Sequence, residues 1–322
     1  HPHVLAHTPA RLPRLSALAI ALTAAVLLSG CETTNMRMGS ADAKTVATGS
    51  AAGAATDAAS SQAVGWRSSI AQSQLQWAKA IDSPALELDA KTLDVKGTLV
   101  QTDNGPAYFY KASMSGLQSD TLYAYRVKGE GNWSEWLQFR TAKAEFEPFS
   151  LLYFGDAQNN LKAHFSRLVR SAQQQVPQAK LMLHAGDLVN SRYGILDHEW
   201  GEWFDAAGWQ AGMVNQLIAA GNHEYLKLNE DTPQEKRLLA PQFNLQFGAQ
   251  FGAASNGPEP LRDTVYFTDY QGVRFIVLNS TEALENEADF AVSDFGERVF
   301  PHIGYVLAIQ HVVAGTGPIQ AT

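Results

Sequence analysis

The chain has 322 residues, 45% of them apolar and 17% charged, and a formal net charge of −8. That length and apolar content support one large domain plus a smaller one, and the acidic balance excludes broad nucleic-acid binding, which needs a basic face. An acidic chain still binds phosphate where bound cations supply the positive charge, and with Cys31 as its single cysteine it forms no internal disulfide.

Residues 1–31 read as a leader outside the fold. Arg11 and Arg14 precede the apolar residues 15–28 (LSALAIALTAAVLL), and Ser29, Gly30 and Cys31 follow. Positive, then apolar, then small is the order of a secretory signal. A membrane-spanning helix is the alternative, but this run is short of the roughly twenty apolar residues a bilayer needs. The LSGC ending resembles a bacterial lipobox. That resemblance implies lipidation at Cys31, a membrane partner reached through the lipid, and a place in the bacterial cell envelope facing periplasm or exterior. Residues 32–62 are rich in Ala, Gly, Ser and Thr (TVATGSAAGAATDAASSQ over 45–62) and are expected to be a flexible linker.

Residues 63–146 alternate apolar and polar side chains in short runs. These are 70–77 (IAQSQLQW), 98–101, 107–114 (AYFYKASM), 122–127 (LYAYRV) and 136–140 (WLQFR), with turn residues between them. That spacing predicts an all-β sandwich. The sequence GLQSDTLYAYRV at 116–127 followed by WSEWLQFRT at 133–141 resembles the fibronectin-III-like domain that precedes the catalytic domain of purple acid phosphatases.

From residue 147 onward, strand-like runs alternate with helix-length segments, the pattern of an α/β domain. Residues 163–175 place Phe165, Leu168 and Val169 at helical spacing, and 198–216 carry Trp200, Trp203, Phe204, Trp209 and Val214 for a second helical layer. Residues 265–268 (VYFT) and 273–279 (VRFIVLN) read as a hairpin or as adjacent strands.

Three runs in this half end alike: 151–158 (LLYFGDAQ), 181–190 (LMLHAGDLVN) and 216–224 (QLIAAGNHE). Each is an apolar stretch of strand length that stops at Gly followed by Asp or Asn, as expected of strands buried on both faces of a parallel sheet. Ligands of such sheets collect beyond the carboxyl ends of the strands. One Gly-Asp alone is usually a turn. Three strand ends bringing Asp156, Asp187, Asn222 and His223 to one edge form a set of oxygen and imidazole donors, which is metal chemistry. The glycines are expected to let the backbone turn sharply there.

The blocks GD-x-Q, GD and GNHE are similar to the first three of the calcineurin-like metallophosphoesterases, and with the sandwich ahead of them the purple acid phosphatase branch is nearest. The resemblance runs from about residue 69 to 285. It implies an incomplete α/β metallophosphoesterase domain with a mixed, largely parallel sheet, truncated or divergent after about 285. It implies a metal-dependent phosphoric ester hydrolase, acid phosphatase-like, with two divalent ions (Mn, Zn or Fe), an activated bridging water and a small phosphate-ester substrate. By that likeness Asp156 binds the first metal, Asp187 bridges, and Asn222 binds the second. His223 then touches the phosphate or protonates the leaving alkoxide, and Glu224 either orients His223 or is a satisfied turn residue.

Three departures qualify the likeness. Gln158 stands where the family has His or Gly, and Asn190 where purple members have an iron-binding Tyr. No Gly-His-x-His occurs in the chain; the apolar run 303–313 (IGYVLAIQHVV) contains only His311, and His302 precedes it. The expectation is therefore an impaired hydrolase. The alternative is a non-catalytic envelope lipoprotein that binds through its sandwich and keeps a remnant phosphoesterase domain. A phosphodiester-cleaving nucleic-acid processor ranks lower, because no basic stripe is present.

Overall fold

The computed structural model describes residues 44–48, 57–82, 84–102, 104–190, 197–226, 238–239, 256–257, 264–279 and 306–310. Residues 1–31 with Cys31, most of residues 226–262, His302 and His311 lie outside them. Among the described residues no helix is long and apolar enough to cross a membrane.

The sandwich is present. Its strands are β2 (Ser61–Ser68), β3 (Gln72–Lys79), β4 (Lys91–Lys96), β5 (Thr98–Thr102), β6 (Gly105–Ser115), β7 (Leu122–Val127) and β8 (Leu137–Arg140). One sheet runs β4-β3-β7-β8 and the other contains β5-β6-β2, with antiparallel neighbours throughout. Val64, Trp66, Leu75, Tyr110, Met114, Tyr125 and Phe139 fill the space between them. Trp66 stacks on Tyr110 with ring centroids 4.9 Å apart. Its indole Nε1 donates to Ser73 Oγ at 3.0 Å, and Ser73 Oγ donates to the Lys128 carbonyl at 2.6 Å. Burial thus leaves neither polar group without a partner.

Two of these strands escape the alternation pattern. β2 is buried over its last seven residues, on both faces, so it shows no in–out period. β4 is a sheet-edge strand carrying Lys91, Asp94 and Lys96, charges of the kind that blunt an edge.

The second half builds β9 (Leu151–Phe154), β10 (Leu181–His184) and β11 (Asn215–Ile218) as parallel neighbours. β1 (Lys44–Thr48) runs parallel to β11 on one side and antiparallel to β2 on the other. One seven-stranded sheet therefore continues from the sandwich into the α/β part, in the order β5-β6-β2-β1-β11-β10-β9. Part of the stretch expected to be a flexible linker is thus a strand. Its Lys-Thr-Val-Ala-Thr sequence holds β-branched residues suited to a pleated ladder. The same stretch ends inside the fold, with Asp57 bridged to Asp269 and its carbonyl accepting from Ser60 and Ser61.

Between β9 and β10 lie a π-helical turn (Leu161–Phe165) and helix α1 (Ser166–Gln175); between β10 and β11 lie helix α2 (Asp197–Ala206) and a 3-10 turn (Gly208–Gly212). Phe165, Val169 and Gln173, each four residues on from the last, form the buried stripe, whereas Leu168 is 59% exposed. The expected inward Leu168 is corrected on that ground: it sits one position before the stripe rather than on it. Trp200, Trp203 and Phe204 are buried as expected, but Trp209, in the 3-10 turn after α2, is 60% exposed.

A short pair, β12 (Tyr225–Leu226) and β13 (Leu238–Leu239), follows. Then β14 (Tyr266–Tyr270), β15 (Val273–Leu278) and β16 (Val306–Gln310) make a three-stranded sheet. β14 and β15 form a hairpin, one of the two arrangements expected, and its turn residues Gln271 and Gly272 have φ of 46° and 81°, the mirror-image turn that suits twisted strands. Tyr266 Oη accepts from the Ile218 N–H at 3.1 Å and donates to the Ile218 carbonyl at 3.0 Å, fastening this sheet to β11. Tyr125 Oη of the sandwich donates to the Gly212 carbonyl at 2.5 Å, and Gln271 Nε2 donates to the Glu147 carbonyl at 3.0 Å.

Candidate metal centre

Phe154, His184 and Ile218 pair side by side in register, so the three strands end at one level and their loops leave at one edge. The loops hold each other there. The Asp156 N–H donates to the Gly186 carbonyl at 3.2 Å and the Gln158 N–H to the Asp187 carbonyl at 3.0 Å. Asp156 and Asp187 themselves take the left-handed conformation, with φ of 56° and 52°, which Asp tolerates better than most residues. Of the three glycines, Gly186 alone takes the left-handed turn expected of them. Gly186 has a φ of 93°, and a Cβ on it would lie 2.6 Å from the Gly221 nitrogen. A Cβ on Gly221 would lie 2.3 Å from Asp187 Oδ1. Close approach of two strand ends requires glycine at 221, and close approach together with the left-handed turn requires it at 186.

Asp187 is 4% exposed and held at both oxygens. Its Oδ1 accepts the His223 N–H at 2.8 Å, and its Oδ2 accepts from Gln158 Nε2 at 3.4 Å. The same Gln158 nitrogen donates to Asp156 Oδ1 at 2.5 Å, and Asp156 is exposed. Two carboxylates thus converge on one donor. Asn222 begins a short 3-10 turn, Asn222–Glu224, and is half-buried beside His223. His223 Nδ1 lies 2.8 Å from the Asn190 carbonyl, which only accepts, so Nδ1 carries the proton and Nε2 faces away from that bond.

Glu224 does not hold the His223 ring. Its carboxylate is fully buried and accepts the backbone N–H of Gly221 at 2.7 Å, of Asp187 at 2.9 Å and of Leu188 at 2.8 Å. Burial, and next the facing charge of Asp187, push this carboxyl up to about 7, against the pull of those three donors. Glu224 is a clamp between two strand-end loops, a role with no local signature, because two of its partners lie 37 and 36 residues away. The Asn190 carbonyl was equally invisible in sequence, being a backbone group.

His184 stays in the core beneath the site. Its Nε2 bonds Gln216 Oε1 at 2.8 Å, its ring packs against Phe154, Phe165 and Trp203, and desolvation pushes it down to about 4. Among the described residues no three His, Cys, Asp or Glu side chains gather as a metal cluster. The donors here are instead two carboxylates with the amides of Asn222 and Gln158 alongside. Carboxylates that share one positive-leaning N–H₂ fit a hard divalent cation, whose preferred ligands are oxygens.

A family profile described as calcineurin-like phosphoesterase matches residues 149–310, half of the chain. A second, described as the purple acid phosphatase N-terminal domain, matches residues 52–141. Among solved structures, the purple acid phosphatase PPD1 from yellow lupin (Lupinus luteus) seeds is similar at a TM-score of 0.50 and 16% identity, over 72% of this chain and 44% of that one. A structure of PhoD is similar at a TM-score of 0.51 and 13% identity, over 73% of this chain and 51% of that one. At such identities the likeness is one of fold, and the chain spans about half the length of these neighbours. No curated protein matches the sequence.

Proposed function

This chain belongs to the calcineurin-like phosphoesterase family, and on that premise we propose that it is a metal-dependent hydrolase of small phosphate esters, with two divalent cations at the ends of β9, β10 and β11. The observation that carries this reading is the convergence of the Asp156 and Asp187 carboxylates on one donor. Asp156, Asp187 and Asn222 would hold the cations. Bound there, two such ions would activate water and stabilise both ends of an in-line displacement at phosphorus.

The chain's own residues supply the rest. Glu224 and the paired glycines keep the strand-end loops at fixed spacing, so Asp187 needs no reorganisation on binding. With Nδ1 committed to the Asn190 carbonyl, His223 can give a proton only from Nε2, and only as the imidazolium. That proton would go to the ester oxygen as its bond to phosphorus breaks and the water oxygen bonds to phosphorus. With no Gly-His-x-His in residues 1–322, turnover by this chain is proposed to be low.

The test is turnover of a chromogenic phosphate monoester with added manganese or zinc. Asp187→Ala is expected to abolish the metal-dependent rate; a rate equal to wild type would remove the reading.

A further inference from the structure

Gln158 is bound to the site twice over. Its backbone N–H donates to the Asp187 carbonyl at 3.0 Å, which sets the loop leaving β9. Its side-chain nitrogen then donates to Asp156 Oδ1 at 2.5 Å and to Asp187 Oδ2 at 3.4 Å. Ionised carboxylate oxygens only accept, so the amide nitrogen, rather than its oxygen, is the atom that belongs between them. Carboxylates brought this close repel one another unless something positive lies between. The N–H₂ group supplies that partial charge to both, through a short hydrogen bond to Asp156 and a longer one to Asp187.

We infer that the Gln158 amide is the resident occupant of the point where Asp156 and Asp187 converge, and that a divalent cation must displace it to bind. The inference rests on the metallophosphoesterase reading above. The lone pairs that hold the amide are the ones a cation takes, so the two compete. The amide keeps the carboxylates gathered when cations are scarce, and it weakens the site for them when they are present. A residue acting only as a ligand through its amide oxygen would do the reverse, since its removal would weaken cation binding.

Manganese binding to the full chain by titration calorimetry, with thermal melting in EDTA beside it, separates these roles. Gln158→Ala is expected to bind Mn²⁺ about five-fold more tightly than wild type, a change of the size one net hydrogen bond carries. It is also expected to melt lower than wild type in EDTA, because the carboxylates lose their shared donor. Gln158→Met, which keeps the length and removes both donor and acceptor, is expected to move both readings the same way. Equal or weaker Mn²⁺ binding by both variants would overturn the inference and leave the metal reading in place. Absence of Mn²⁺ binding by wild type and variants alike would overturn both.

Discussion

In the sandwich, buried polar groups are satisfied by many small neutral bonds: Trp66 to Ser73, Ser73 to the Lys128 carbonyl, Tyr125 to the Gly212 carbonyl. At the strand ends, one buried carboxylate, Glu224, takes three backbone N–H groups from two loops. Around the sandwich bonds lies a large aromatic core; the clamp at the site is a single side chain. Redundancy makes the sandwich tolerant of losing any one bond. Concentration makes the site exact and fragile, because removing one group orphans several buried donors at once.

The largest effect should therefore come at Glu224. Glu224→Ala is expected to destabilise the fold by about 3–5 kcal/mol, since three N–H groups lose their acceptor in a dry environment. A urea midpoint measured beside wild type checks it. A loss below about 1 kcal/mol would mean the clamp is as redundant as the sandwich.

His184 sharpens the contrast by way of pH. Its folded value is pushed down to about 4 from an ordinary 6.5 by burial. On acidification through 6.5 the unfolded chain takes up a proton that the folded chain refuses until about 4. Stability is thus unaffected by this group above that window and falls within it, by about 3 kcal/mol at most. His184→Gln should flatten that part of the acid limb when unfolding is followed between pH 7 and 4.5; an unchanged limb would mean the ring is not held neutral.

The smallest effect is expected at Tyr125→Phe, which deletes the bond to the Gly212 carbonyl and leaves the ring in place. About 1–2 kcal/mol is the expected loss, read from the same denaturation curves. A loss as large as that of Glu224→Ala would show that the sandwich, too, hangs on one contact.

Legibility in the sequence follows the same division. The strand ends at Asp156, Asp187 and Asn222 were readable because an apolar run closing on Gly and a polar residue is a local signal, and the hairpin around Gln271 and Gly272 was readable from its two flanking runs. β2 was not, because burial on both faces erases alternation, and the strand at Lys44–Thr48 was hidden in low-complexity sequence. Leu168 misled because helical spacing alone does not say which of two adjacent apolar positions faces inward. Glu224 is legible as part of GNHE, but its work is done on Asp187 and Leu188, which only the fold brings near.

The central claim is that Asp156 and Asp187 together hold cations, and metal content per chain tests it most directly. Purified chain equilibrated with manganese and desalted should retain close to two ions by elemental analysis, and Asp156→Ala and Asp187→Ala should each retain fewer. Equal retention by wild type and both variants, or none by wild type, would contradict the account.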